Sequence, residues 1–328
     1  MTFQPLIMAA ANLTSVTIDT PSSLSLISFN MHGFYQGLPV LLDLVQNSNN
    51  YKPDIILIQE HWLTPSSLHK FDDFFVDYFS FGCSAMVNSV QSEILYGRPY
   101  GSVITLISRN LRKVTETLCC SDRFTIIRIA DYLIINVYLP CSGTADRLLI
   151  CEDILADVQS WRDKYLMCDC IVAGDFNSNL DSTDRAAAVI SDFLRLNSLT
   201  RCDHIFPSDC KATYVNDYLG HQSYIDYITT SSPGSVLAFN VLDPDINFSD
   251  HLSPSASIRY RAPANPIDTV GDSRHFAANN NRHVHKKLRW DNADLDSYYG
   301  YTRIFESMIG NCDEVFESIN LKGYCDGV

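Results

Sequence analysis

Short apolar runs alternate with segments of helical spacing from about residue 23 to residue 260. The runs at 24–29 (LSLISF), 55–58 (IILI), 102–107 (SVITLI), 125–129 (TIIRI), 133–138 (LIINVY), 170–173 (CIVA), 224–229 (YIDYIT), 236–242 and 255–260 predict β-strands. They are rich in β-branched and aromatic residues and too short for buried helices. Between the first two, Leu38, Leu41, Leu42 and Val45 recur at i, i+3, i+4 and i+7, which is one face of a helix. Residues 147–165 repeat that spacing through Leu148, Ile154, Leu155, Val158 and Trp161, and a third helix carries Ile190, Phe193 and Leu194. Strands and helices interleaved at this density predict an α/β architecture with helices covering the sheets.

The pattern changes at both ends. Residues 1–22 read as an N-terminal tail; no Lys or Arg precedes their short apolar stretch, so no signal peptide is expected. Residues 261–282 are rich in Ala, Pro, Asn and Asp and lead into the basic stretch HVHKKLRW, so 261–293 reads as a linker with a basic segment. Helical spacing returns over 294–319 through Leu295, Tyr298, Phe305, Met308, Ile309 and Phe316, which makes 294–328 a helical extension. No apolar run reaches the ~18 residues of a membrane span.

An apolar share of 46% against 19% charged residues, in 328 residues, describes a globular protein with a sizeable core. The 11 cysteines are irregularly spaced. Cys119/Cys120 and Cys168/Cys170 lack the two-residue gap of a zinc knuckle, and the best-spaced cluster, Cys202, His204 and Cys210, is a weak metal signal. Reduced thiols are expected, in a nuclear or cytoplasmic protein that is not secreted. The formal net charge of −14 counts against tight, non-specific binding to nucleic acid, where phosphate contacts supply most of the affinity. It suits a site built from carboxylates around a cation.

Candidate chemistry lies where the strands end. The first runs out into Asn30 of SFNMHG, the second into Gln59-Glu60, and 133–138 ends on Tyr138 of NVYLP. The run at 170–173 continues into Asp175 and Asn177 of GDFN, 224–229 carries Asp226 in YIDYI, and Asp250-His251 of SDH precedes the last strand. So many polar endings are costly to bury singly, and convergence on one site accounts for them. Carboxylates, carboxamides, a phenol and an Asp–His pair form the set that metal-assisted attack of water on a phosphodiester needs.

In this order, SFNMHG, QE, NVYLP, GDFN, YIDYI and SDH resemble the endonuclease/exonuclease/phosphatase superfamily. The likeness is greatest to the apurinic/apyrimidinic-endonuclease-like domain at the front of non-LTR retrotransposon proteins, and it spans about residues 23–260. It implies a four-layer sandwich of two mixed β-sheets packed face to face and flanked by helices. By the same resemblance, Glu60 is the principal metal ligand, Asp250 a second metal contact, and the ion magnesium, with manganese as an alternative. Asp175 activates water with Asn30 orienting it, and Asn177, Tyr138 and Thr213 contact the phosphate. His251, held by Asp226, stabilises the transition state.

The resemblance implies a DNA endonuclease that leaves a 3′-hydroxyl. The expected protein acts on DNA as a monomer or as the front part of a longer retroelement polyprotein; no Tyr/Phe-x-Asp-Asp polymerase motif occurs in the chain. Two other readings stand beside it: a superfamily phosphatase or phospholipase, and an idle relic that binds a protein partner. Two positions depart from the family pattern. His32 stands where relatives often carry Asp or Asn near the metal, and Tyr224 stands where many carry Arg. Trp62 reads as a core or rim residue and His61 as structural.

Overall fold

The computed structural model describes residues 22–46, 52–87, 101–216, 220–244 and 247–260. The expected linker and helical extension, and nearly all of the expected tail, lie outside these residues. One sheet comprises β1 (Ser22–Asn30), β2 (Ile55–Gln59), β3 (Tyr78–Cys83), β4 (Val103–Ser108), β13 (Val236–Leu242) and β14 (Ser253–Tyr260), in the order β13-β14-β1-β2-β4-β3. The other comprises β5 (Thr115–Cys120), β6 (Phe124–Ile129), β7 (Tyr132–Tyr138), β8 (Asp169–Asp175), β9 (Thr200–Arg201) and β12 (Asp226–Thr230), in the order β5-β6-β7-β8-β12-β9. A short hairpin, β10 (Tyr214–Asn216) with β11 (His221–Ser223), stands apart. The helices are α1 (Phe34–Gln46), α2 (Lys70–Phe74), α3 (Arg147–Lys164), α4 (Arg185–Leu196) and α5 (Cys202–Ile205).

Each sheet contains one parallel pair, β1/β2 in the first and β7/β8 in the second; the other pairings are antiparallel. A parallel pair needs a crossover, supplied here by α1 and α3. Both pairs therefore finish at their carboxyl ends, Asn30 beside Gln59 and Tyr138 beside Asp175. Strand order alone gathers these polar endings.

Leu24, Leu26, Ile55, Leu57 and Ile107 pack between the sheets against Ile127, Ile129, Ile134, Ile171 and Ile228. The outer face of the first sheet is covered by Phe34, Leu38 and Leu41 of α1 and Phe71 of α2, and that of the second by α3 and α4 through Ile154, Val158, Ile190 and Leu194. These layers make the four-layer sandwich. The face of α1 differs from the expected one: Leu44 is buried, while Leu42 and Val45 are half-buried. Phe34 starts the helix a turn before Leu38 and rotates the buried stripe.

Five strands escape the apolar-run pattern: β3, β5, β9, β10 and β11. Of these, β3 and β5 lie at sheet edges, and Glu116 and Thr117 of β5 are exposed. Near the polar ends, Asn136 is fully buried between the sheets; its amide donates to the carbonyls of Ile58 (3.0 Å) and Ile104 (3.2 Å) and accepts from Gln59 Nε2 (2.7 Å). This pin fixes one sheet against the other beside the candidate site. No helix among the described residues is long and apolar enough to cross a membrane.

His61 is fully buried; the Leu63 N–H donates to its Nδ1 (3.0 Å), which leaves Nε2–H to donate to the Cys83 carbonyl (3.2 Å). Burial pushes its pKa down from 6.5 to about 3. The unfolded chain thus binds one more proton than the native chain in that window, and stability falls as pH falls from 6.5 toward 3. The loss relative to neutral pH reaches ~5 kcal/mol once pH falls below the native value. Urea titrations from pH 7 to pH 4.5 should show His61→Gln losing stability less steeply than the parent, by about one proton; equal slopes would contradict the assignment.

Candidate active site

Four side chains at the carboxyl ends of the parallel strands meet across the gap between the sheets. The Asn30 amide Nδ2 donates to Glu60 Oε1 (3.0 Å) and to Asp175 Oδ2 (2.9 Å). Glu60 follows the first sheet's β2 and Asp175 ends the second sheet's β8, so one nitrogen joins carboxylates from both sheets. Its carbonyl Oδ1 accepts from the His32 N–H (3.1 Å) and is thereby oriented.

Asp175 is fully buried. The Asn177 backbone N–H donates to its Oδ1 (2.7 Å), and Asn177 Nδ2 donates to its Oδ2 (3.0 Å) and to the Leu139 carbonyl (2.9 Å). Both amide protons of Asn177 are thus used within the protein, and this residue orients Asp175. Gly174 precedes it for a steric reason: at φ +142, a Cβ there would lie 1.9 Å from the Val137 carbonyl oxygen of the adjacent parallel strand. Burial, then repulsion from Asp226, raises the Asp175 pKa from 3.8 to about 8, against the opposing pull of His251.

Asp226 opens β12 directly opposite Asp175. Its carboxylate accepts from His251 Nδ1–H, at 2.9 Å to Oδ2 and 3.1 Å to Oδ1. Burial alone would lower the His251 pKa, but Asp226, with Asp175 and Asp250, overcomes it and raises it to about 10. The imidazolium holds its Nδ1 on Asp226 and keeps Nε2–H as a donor. Tyr138 is buried, and burial together with the charges of Glu60 and Asp175 pushes its phenol well above the usual range. It stays protonated and can donate.

The SDH segment is tied down independently. Ser249 Oγ donates to the Asn30 carbonyl (2.7 Å), and the Val215 N–H donates to the Asp250 carbonyl (2.8 Å). Asp250 Oδ1 lies 2.9 Å from His32 Nδ1 and 3.9 Å from His251 Nε2. Burial would raise the Asp250 pKa, but the His32 contact and the charge of His251 bring it below the usual value.

The donor set suits a hard divalent cation. Glu60 and Asp250 offer carboxylate oxygens, and Asp250 Oδ1 is buried yet receives no hydrogen bond of regular angle among the described residues. Burial first and the charge of Asp226 second raise the Asp175 pKa, and a nearby cation would oppose that repulsion. Asp175, Asp226 and His251 also bring one ligand atom each within 4.8 Å of one another. With Nδ1 of His251 already on Asp226, that trio is better suited to moving and holding protons.

Thr213 has a structural role beside the expected one. It is fully buried, and its hydroxyl accepts from the Ile225 N–H (3.0 Å) and the Asp226 N–H (2.9 Å). It braces the start of β12 and so positions Asp226. His32 is half-buried and paired with Asp250. The motifs also leave out Arg147 at the start of α3, which donates to the Asn177 carbonyl (2.7 Å), Ser178 Oγ (2.6 Å) and the Pro140 carbonyl (3.1 Å). It locks the loop after β7 to the loop after β8, and no local sequence signal announces it.

A family model, "Endonuclease/Exonuclease/phosphatase family", matches residues 27–251. The chain belongs to that family, whose members hydrolyse phosphoester bonds. Solved structures share the fold at low identity. The AP endonuclease LMAP from Leishmania major superposes with TM-score 0.58 at 14% identity, covering 73% of this chain and 88% of that one. The 3′ phosphatase NExo from Neisseria, bound to a product DNA hairpin, gives 0.55 at 15%, covering 72% and 100%. The endonuclease domain of TRAS1, a telomere-specific non-LTR retrotransposon, gives 0.53 at 15%, covering 74% and 100%. No curated protein sequence matches the chain.

Proposed function

We propose that the chain is a magnesium-dependent DNA endonuclease, served also by manganese, and the nicking domain of a retroelement. The observation that carries this reading is the Asn30 amide, which joins Glu60 and Asp175 next to the Asp226–His251 pair. Likeness to an AP endonuclease, to the DNA-bound NExo and to the TRAS1 endonuclease domain supports DNA as the substrate.

Glu60 and Asp250 would hold the cation, which supplies charge neutralisation at the phosphate and stabilises the departing oxygen. Asp175, oriented by Asn30 and Asn177, takes a proton from the attacking water. The water oxygen bonds to phosphorus in line as the P–O3′ bond breaks, leaving a 3′-hydroxyl and a 5′-phosphate. His251 Nε2–H donates to a non-bridging oxygen, Tyr138 donates to the phosphate or the leaving oxygen, and Asn177 reaches the phosphate by releasing one internal bond.

The net charge of −14 and the likeness to the 3′ phosphatase NExo favour a second reading, hydrolysis of small or terminal phosphoesters. Supercoiled plasmid with magnesium separates the two. Nicking that a chelator abolishes, at ends a DNA polymerase extends directly, is the expected result. Phosphate release from small phosphoesters without nicking would favour the second reading.

A further inference from the structure

We infer that Trp62 and His32 form a positioning bridge between the two proposed metal carboxylates and set the affinity of the site for its divalent ion. This rests on the cation-dependent reading above and deepens it.

The Trp62 indole Nε1–H donates to Glu60 Oε2 (3.1 Å). With Asn30 on Oε1 (3.0 Å), both oxygens of Glu60 are aimed by donors from opposite sides. The Trp62 ring packs on the His32 imidazole at a centroid distance of 4.9 Å. His32 Nδ1 in turn meets Asp250 Oδ1 at 2.9 Å. One continuous chain of contacts, Glu60–Trp62–His32–Asp250, joins the loop after β2 to the loop before β14.

The backbone is bent to make this bridge. His32, Glu60 and Trp62 adopt φ of 48, 53 and 54, a left-handed conformation that side chains rarely take. Gly33 lies directly beneath the indole at φ +98, and a Cβ there would come within 2.5 Å of the Trp62 ring. Such strained residues persist where the surroundings over-determine them, and they cluster at working sites. Here the N–H of Gly33 donates to the Glu60 carbonyl (2.7 Å) and that of Phe34 to the His61 carbonyl (2.9 Å), which hold the two turns together.

The bridge gives His32 a role suited to its place near Asp250. The indole N–H cannot ligate a cation, and with the imidazole it fixes the directions of the carboxylates that would bind one. Groups that orient metal-ligating carboxylates typically change metal affinity by 10–100-fold when lost.

The test uses the whole chain and manganese alone as the probe. Calorimetric titration with Mn2+ should show Trp62→Phe, which keeps a ring on His32 and deletes the N–H, binding about tenfold more weakly. His32→Gly, which tolerates the left-handed backbone, should show a similar loss. The double variant should lose little beyond the worse single change, as members of one unit do. Raising the Mn2+ concentration should restore most of the nicking rate of Trp62→Phe, a split that loss of folding would not give. Thermal scans without metal check that each variant folds.

Parent-like Mn2+ affinity in folded Trp62→Phe and His32→Gly, alongside a loss in Glu60→Gln, would overturn the bridge and leave the metal site standing. Failure of the parent chain itself to bind Mn2+ would overturn the bridge together with the functional reading beneath it.

Discussion

Asp175→Ala is expected to lower the rate of plasmid nicking at saturating magnesium by ~10³-fold or more, within the range for loss of a positioned general base and its electrostatic role. Three donor bonds converge on this carboxylate, from Asn30 Nδ2, the Asn177 N–H and Asn177 Nδ2. Both of its oxygens are thereby oriented. Burial and repulsion by Asp226 also raise its pKa to about 8, which makes it a stronger base than an exposed aspartate once ionised. The loss should fall on kcat, because Glu60 and Asp250 remain to hold the ion. A folded Asp175→Ala chain within tenfold of the parent rate would remove Asp175 from the reaction.

His251→Ala should be comparably severe, and Asp226→Asn should cost ~10²-fold or more, because Asp226 acts through the imidazole it holds. The pair is nearly sealed from solvent, with Asp226 1% and His251 4% exposed, so water cannot replace either partner. The double variant should be no slower than His251→Ala alone, since residues that work as a unit are grossly non-additive. Multiplying losses, measured as single-turnover rates at saturating DNA, would show that Asp226 serves something other than His251. Thr213 belongs to this group at one remove. Its hydroxyl fixes the two backbone N–H groups at the start of β12, and with them the position of Asp226.

Much of this was legible in the chain because parallel strands buried on both faces read as apolar runs, and their polar ends are conspicuous against them. Asn30, Glu60, Tyr138, Asp175, Asp226 and His251 all follow or adjoin such runs, and the structure gathers them at one rim. What escaped depends on geometry that sequence spacing does not carry. The edge strands β3 and β5 have few positions that must be apolar. Thr213 sits in a short segment whose register with β12 is a tertiary fact. Trp62 and His32 meet only because Glu60, Trp62 and His32 take left-handed backbone angles, which no residue preference announces for Glu, Trp or His. Arg147 is far in sequence from the Asn177 loop it holds.

The central claim is that Glu60 and Asp250, flanking β2 and β14 of one sheet, hold a divalent cation beside Asp175 of the other. The direct measurement is anomalous scattering from crystals soaked in manganese. The account predicts an anomalous peak coordinated by Glu60 and Asp250, next to the Asn30 amide and lost in Glu60→Gln crystals. A peak seated instead on Asp175, Asp226 and His251, or no peak at this rim while manganese-dependent nicking persists, would contradict it.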